Sequence, residues 1–193
     1  MNDIDTAAWP FVSEMIKGNP VVLDESAKEA VATWFMKVAV TARSASHVNQ
    51  SINQDWATWL RTERSPVQGW SVWAGRFDGL APFWYNPHDV RFEIVREVLP
   101  EPQRRQVVRS HGVLATMVIG YLIVQLFGID GIGVSIPDEP ALPLMWPTPN
   151  TRFSWPPTEF IGDDGLSAWA QRHLAGTKPD LPITTPRAHQ SNS

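Results

Sequence analysis

The stretch GVLATMVIGYLIVQLFG, Gly112 to Gly128, decides how the rest of the chain folds. Its apolar character suits either a membrane helix or two buried strands, and what interrupts it settles the choice. A bilayer-spanning helix needs roughly 18 or more consecutive apolar residues, whereas this run is shorter and contains Thr116, Tyr121 and Gln125. Val, Ile, Leu and Phe dominate, and Gly120 sits near the middle as a breaker, so the reading is two consecutive buried strands turning at Gly120.

Upstream of these strands the apolar period is also two. In QGWSVWAGRF, Trp70, Val72 and Ala74 alternate with Ser71, Trp73 and Gly75. In DVRFEIVREV, Val90, Phe92 and Ile94 face one way and Arg91, Glu93 and Val95 the other, the pattern of a strand with one wet face. Asn86-Pro87-His88-Asp89 reads as a turn leading into that strand.

Further upstream the period changes to that of helices. A first helix is expected over Asp3 to Lys17, with Pro10 near its start and Gly18, Asn19 and Pro20 ending it. A second starts after Asp24 as N-cap and carries Ala27, Ala30, Val31, Trp34, Phe35, Val38 and Ala42 at helical spacing, which marks it as the central core helix. Lys37 interrupts its apolar run and is expected to snorkel to water. A third helix spans Gln54 to Glu63, presents Trp56, Trp59 and Leu60, and stops at Ser65-Pro66.

Downstream, seven prolines between 137 and 157 exclude a long helix or a central strand and imply an extended Pro/Trp-rich segment laid on the core surface. A last helix follows, capped by Asp163 or Asp164, packed by Leu166, Trp169 and Leu174, and ended by Gly176. Helices first and strands afterwards define an α+β domain with an antiparallel sheet over residues 1–175, followed by a polar, disordered tail over 176–193.

Composition agrees with one soluble domain. A chain of 193 residues, 43% hydrophobic, supports a single core of ordinary size, and no leader resembling a signal peptide precedes it, which points to the cytoplasm and away from a membrane. With 16 basic and 20 acidic residues, the net charge of −4 argues against a dominant polyphosphate-binding surface while leaving room for a local basic one. The absence of cysteine removes disulfides, Cys-ligated zinc and thiol catalysis from this polypeptide.

The search for chemistry returns little. The five histidines, His47, His88, His111, His173 and His189, never stand at metal-ligand spacing, so neither a metal nor any other cofactor is expected. His88-Asp89 belongs to the expected turn, and His111 opens the apolar strands as a structural, hydrogen-bonded residue. Nucleophile motifs are missing, and Gly128, Gly131 and Gly133 lack the order and the lysine of a phosphate loop, which leaves a hairpin or bulge. Two signals remain. Arg91, Arg96, Arg104, Arg105 and Arg109, together with Arg61 and Arg64, form a candidate nucleic-acid patch, or, interleaved as they are with Glu93, Glu97 and Glu101, a mixed, solvated surface. Of the ten tryptophans, Trp146 and Trp155, each followed by proline, are candidates to line a groove.

A resemblance rests on Trp34-x-x-Lys37, then VWAGRFDG, IGYLIVQLFG, MWP, SWPP and GLSAWAQR. In that order they resemble the C-terminal part of bacterial and phage proteins related to HNH endonucleases. The resemblance reaches to about Leu174. It implies that a Cys- and His-containing zinc-binding segment precedes the equivalent of MNDIDTAAWPF, that Met1 is an internal methionine of the family motif, and that no catalytic residue transfers to this chain. The expected function is a non-catalytic accessory domain, or truncated form, of such a protein, associated with nucleic acid. The alternative is a protein-interaction or structural module that docks through its Trp/Pro segment, or self-associates through uncovered apolar surface around Ala8, Trp9 and Val12 on the first helix.

Overall fold

The structure is a computed structural model that describes residues 3–45, 54–80, 83–95, 107–129, 134–135, 140–148, 151–165, 178–179 and 187–189. Three helices, α1 (Asp3–Lys17), α2 (Glu25–Ala45) and α3 (Gln54–Thr62), precede nearly all of the strands. Strand β1 (Val21–Leu23) lies between the first two helices, and the sheet is then built from β2 (Trp70–Phe77), β3 (Phe83–Val95), β4 (Val107–Ile119) and β5 (Leu122–Ile129). Of the short strands, β7 (Leu144–Trp146), β9 (Phe160–Ile161) and β11 (Arg187–His189) join that sheet, while β8 (Phe153–Trp155) pairs with β1, and β6 (Val134–Ser135) with β10 (Lys178–Pro179), in two separate two-stranded sheets. The class is α+β.

The seven-stranded sheet runs β11-β3-β4-β5-β2-β7, with β9 also lying along β2. Ile119 pairs with Leu122, so β4 and β5 form a hairpin with a two-residue turn at Gly120-Tyr121. Gly120 adopts φ 57°, the left-handed conformation such a turn requires, and a side chain there would meet the Ile16 carbonyl.

Both faces of the central strands are covered. On the helical face, Val72 and Ala74 of β2, Val113, Ala115 and Met117 of β4 and Leu122, Val124 and Leu126 of β5 join Val12, Met15, Val31, Phe35 and Met36 in one core. On the opposite face, Trp73, Phe77, Leu114, Val118, Ile123, Phe127 and Ile129 pack with Ala141, Leu142 and Ile161. Gln125 and Thr116, cross-strand neighbours on that second face, are wholly buried and hydrogen-bonded, Nε2 donating to Oγ1 at 3.4 Å. Trp70 lies flat over Gly128, where any side chain would collide with the indole, and meets Trp56 of α3 edge-on at 5.0 Å.

The helices form for the reasons their sequence suggests. α1 ends in a Schellman arrangement: Gly18 at φ 81° donates to the Met15 carbonyl and Asn19 to that of Glu14. Asp24 caps α2, its Oδ1 accepting from the Ala27 amide at 2.9 Å. Phe35 and Met36 are fully buried, while Trp34 is partly covered and packs edge-on against Phe35.

Several expectations are corrected. Lys37 does not snorkel; its ammonium pairs with Asp5 of α1 at 2.5 Å, and Trp34 Nε1 donates to the same carboxylate oxygen at 3.0 Å. A carboxylate one helix away offers the lysine a closer partner than bulk water. Ala8 and Val12 are completely buried, because Ile4, Ala8, Val12 and Met15 form the stripe that packs α1 on the core. Of the proposed N-terminal apolar patch only Trp9 stays exposed, so α1 offers no broad self-association surface.

Asn86-Pro87-His88-Asp89 is not a turn but part of β3, paired with Val113 to Thr116. Among the described residues β3 has a neighbour on its second side only at 91–93, where β11 lies, and a proline is tolerated where a strand carries no partner on one side. The proline-rich segment is extended, as expected, but not superficial: Leu142 and Met145 are fully buried and β7 pairs with β2. Lys28 fastens this segment to α2. Its wholly buried ammonium donates to the Thr148 carbonyl and to Thr148 Oγ1, and lies 3.2 Å from Glu25. Within 176–193, where a disordered tail was expected, β10 pairs with β6 and β11 with β3. The open edge of β3 presents unpaired backbone groups that such a strand satisfies. The final helix begins at Asp163; Leu166, Trp169, Leu174 and Gly176 lie outside the described residues, as do Gly131 and Gly133.

Candidate nucleic-acid interface

β3 and β4 are each 13 residues long, and their paired register runs from Phe83 with Ile119 to Val95 with Val107. Toward the latter end the core sequence gives way to charge. Glu93 pairs with Arg109 on one side and Arg187 on the other, and Arg91 pairs with His111 and His189. These are two adjacent cross-strand rows two residues apart, so all six positions share one face of a three-stranded ribbon. They comprise three arginines, two histidines and one glutamate.

Of the five arginines singled out from sequence, the strands therefore bring Arg91 and Arg109 to one face. Arg96, Arg104 and Arg105 lie outside the described residues. Arg64 is not part of this group: it adopts φ 54° after α3, and its guanidinium is ion-paired with Asp3 at the start of α1. His111, read as structural, shares a row with Arg91. Arg187 and His189 were missed because they fall in a stretch read as tail, although their alternation in RAH is itself a short period-two signal.

Trp155 lines no groove. It is 2% exposed and packs in the helical-face core, while Trp146 is partly buried against the same core. Both precede cis prolines, Pro147 and Pro156. The described residues do hold one cleft, of about 250 Å³, between α1 and α2. Ile4, Ala7 and Ala30 give it apolar walls, and Asp3, Glu29 and Arg64 contribute charge. Since Asp3 and Arg64 neutralise each other there, the cleft presents no concentrated charge to a ligand.

Among the described residues, no group of three or more His, Asp or Glu is placed to hold a metal ion, and no helix is long and apolar enough to cross a membrane. Neither a protein-family model, nor a curated protein, nor a solved structure matches this chain.

Proposed function

We propose that this domain binds nucleic acid through the basic face of the β3–β4–β11 ribbon, as a non-catalytic accessory module of an HNH-nuclease-like protein. The observation that carries the reading is the register that sets Arg91, Arg109 and Arg187 in two adjacent rows with His111 and His189. The major groove admits a two-stranded antiparallel ribbon, the width of β3–β4 alone, and arginines serve both phosphates and base edges. With a net charge of −4 for the whole chain, any attraction for a polyanion has to come from a local group of cations such as this one.

Fluorescence anisotropy with labelled duplex and single-stranded oligonucleotides, titrated from low to physiological salt, tests it. Binding should weaken with salt along a straight line in log–log form, because each neutralised phosphate releases counterions. Replacing Arg91 and Arg109 together by alanine should weaken binding and flatten that line. Absence of binding at low salt, or an unchanged slope in the double variant, overturns the proposal.

A further inference from the structure

At the end of the sheet opposite the arginines, Phe83, Ile119, Leu122, Arg76 and Phe160 form one cross-strand row over β3, β4, β5, β2 and β9. Leu122 at its middle is buried, but both ends of the row are open: Phe83 is 67% exposed and Phe160 58%. Two more apolar side chains stand just beyond the row. Tyr121 in the β4–β5 turn is 47% exposed, and Leu80, in the connection from β2 to β3, 92%. The Phe77 amide donates to the Tyr121 carbonyl at 2.8 Å, which ties the start of that connection to the turn. Together the four side chains expose on the order of 500 Å², near the upper end for the largest apolar patch of a soluble monomer.

Charge is distributed unevenly along this patch. Asp78, Glu159, Asp163 and Asp164 are exposed, and all four lie at its Leu80–Phe160 half. Asp163 accepts a hydrogen bond from the Leu80 amide at 3.0 Å, and the Asp78 amide donates to the Ile161 carbonyl at 3.0 Å, so two of the four are held beside Leu80 and Phe160. Among the described residues the cations nearby are the half-buried Arg76 in the row and Lys17 at the end of α1, the latter paired with Glu14 at 2.7 Å. The balance is acidic. It repels nucleic acid and anionic lipid surfaces, and it sets acid against acid if two copies meet patch to patch. What it favours is a ligand with an apolar stripe and cationic flanks.

The patch also has a length. From β3 to β9 the row crosses four strand spacings, roughly 19 Å, the span of an α-helix of about 13 residues. It runs across the strand ends and not along a strand edge, so an extended chain finds no row of backbone groups to pair with, and recognition goes through side chains. We infer that this end of the sheet docks a basic amphipathic helix of another protein. Its apolar stripe lies across Phe83, Tyr121, Leu80 and Phe160, and its lysines or arginines reach the acidic half. About 500 Å² per partner is at the small end of specific contacts, which makes the complex transient, with Kd in the micromolar range. The inference is independent of the nucleic-acid reading, because the ribbon takes no part in it.

Fluorescence anisotropy with labelled synthetic peptides and the full chain tests the inference. The probe is a lysine–leucine peptide of about 18 residues with leucine at helical spacing, long enough to hold a helix over the patch. A scrambled peptide of the same composition and a glutamate–leucine peptide of the same spacing are the controls. The wild-type protein should bind the probe about tenfold or more tightly than either control. Leu80→Ser with Phe160→Ser should weaken probe binding about tenfold, the effect of losing central apolar anchors. Glu159→Gln with Asp164→Asn should weaken it about threefold and reduce its salt dependence, as exposed charge pairs do. No binding of the probe at concentrations on the order of 0.5 mM, equal binding of the scrambled peptide, or unchanged affinity in either variant overturns the inference. So does a wild-type dimer in sedimentation velocity that Leu80→Ser with Phe160→Ser disperses, because the occupant is then a second copy. Circular dichroism melts check that the variants are folded; if the double serine variant is not, Leu80→Ser alone, at a side chain almost wholly in solvent, takes its place.

Discussion

Strand β4 belongs to two different environments, and the contrast between its halves explains much of the molecule. From Gly112 to Val118 every residue is buried, whichever face it points to, because helices cover one side of the sheet and Trp73, Leu142 and Ile161 the other. From Val107 to His111 the same strand instead carries Arg109, Ser110 and His111. Its partners change in step: beside the buried half lies β5, buried along its whole length, and among the described residues beside the charged half lie only β3 and, through it, β11. The central half of the strand is thus apolar at successive positions because a layer covers each of its faces.

The contrast can be broken most forcefully from the buried side. Phe127→Ala should cost about 3–5 kcal/mol in urea unfolding, the range for large core aromatics, whereas Arg109→Ala on the neighbouring strand should change stability by less than about 0.5 kcal/mol. Equal losses would mean that the two halves of β4 are not different environments. Lys28→Ala should fall between them, at about 1–3 kcal/mol, because it removes the bonds that tie the Thr148 carbonyl and hydroxyl to α2, leaves that carbonyl with the bond from the Thr151 hydroxyl, and loosens the proline segment; a variant as stable as wild type would show that this buried ammonium does not fasten the segment. On the ribbon side the expected effect is on binding: Arg91→Ala should lower the log–log salt slope by about one, with no shift in melting temperature.

The smallest effect is electrostatic. The Ala27 amide, then the Ser26 hydroxyl, donate to the Asp24 carboxylate and hold its pKa below the ordinary 3.8. A depressed carboxylate contributes stability that is fully present above its unfolded value and is lost as pH falls through the lower folded value. Asp24→Asn retains a capping oxygen, so it should melt close to wild type at neutral pH and lose less stability on acidification below pH 3.8. Parallel pH profiles for the two proteins would remove Asp24 from the account.

The parts of the fold legible in the sequence are those where one local cause acts. Gly120 between two apolar runs gives the hairpin, Asp24 gives the start of α2, and Gly18-Asn19 gives the end of α1, each through backbone chemistry within a few residues. What stayed hidden depends on distant partners. Pro87 reads as a turn residue until the open side of β3 is known, Lys37 reads as a snorkelling side chain until Asp5 is placed beside it, and Trp155 reads as a groove until the core closes over it. The candidate site was half legible. Alternation placed Arg91 and Glu93 on one face of a strand, but only the register of three strands shows that Arg109, Arg187, His111 and His189 join them.

One bond at the β4–β5 turn ties two timescales together. The Tyr121 amide donates not within its own hairpin but to the carbonyl of Ile16, in the last turn of α1, at 3.0 Å. The hairpin has a two-residue loop and can close in microseconds, while this bond joins positions about 105 residues apart and waits for a far longer loop closure. Deuterium uptake at that single amide therefore reports the seating of the first helix and not the formation of the hairpin, which makes it an internal clock for a long-range step of assembly.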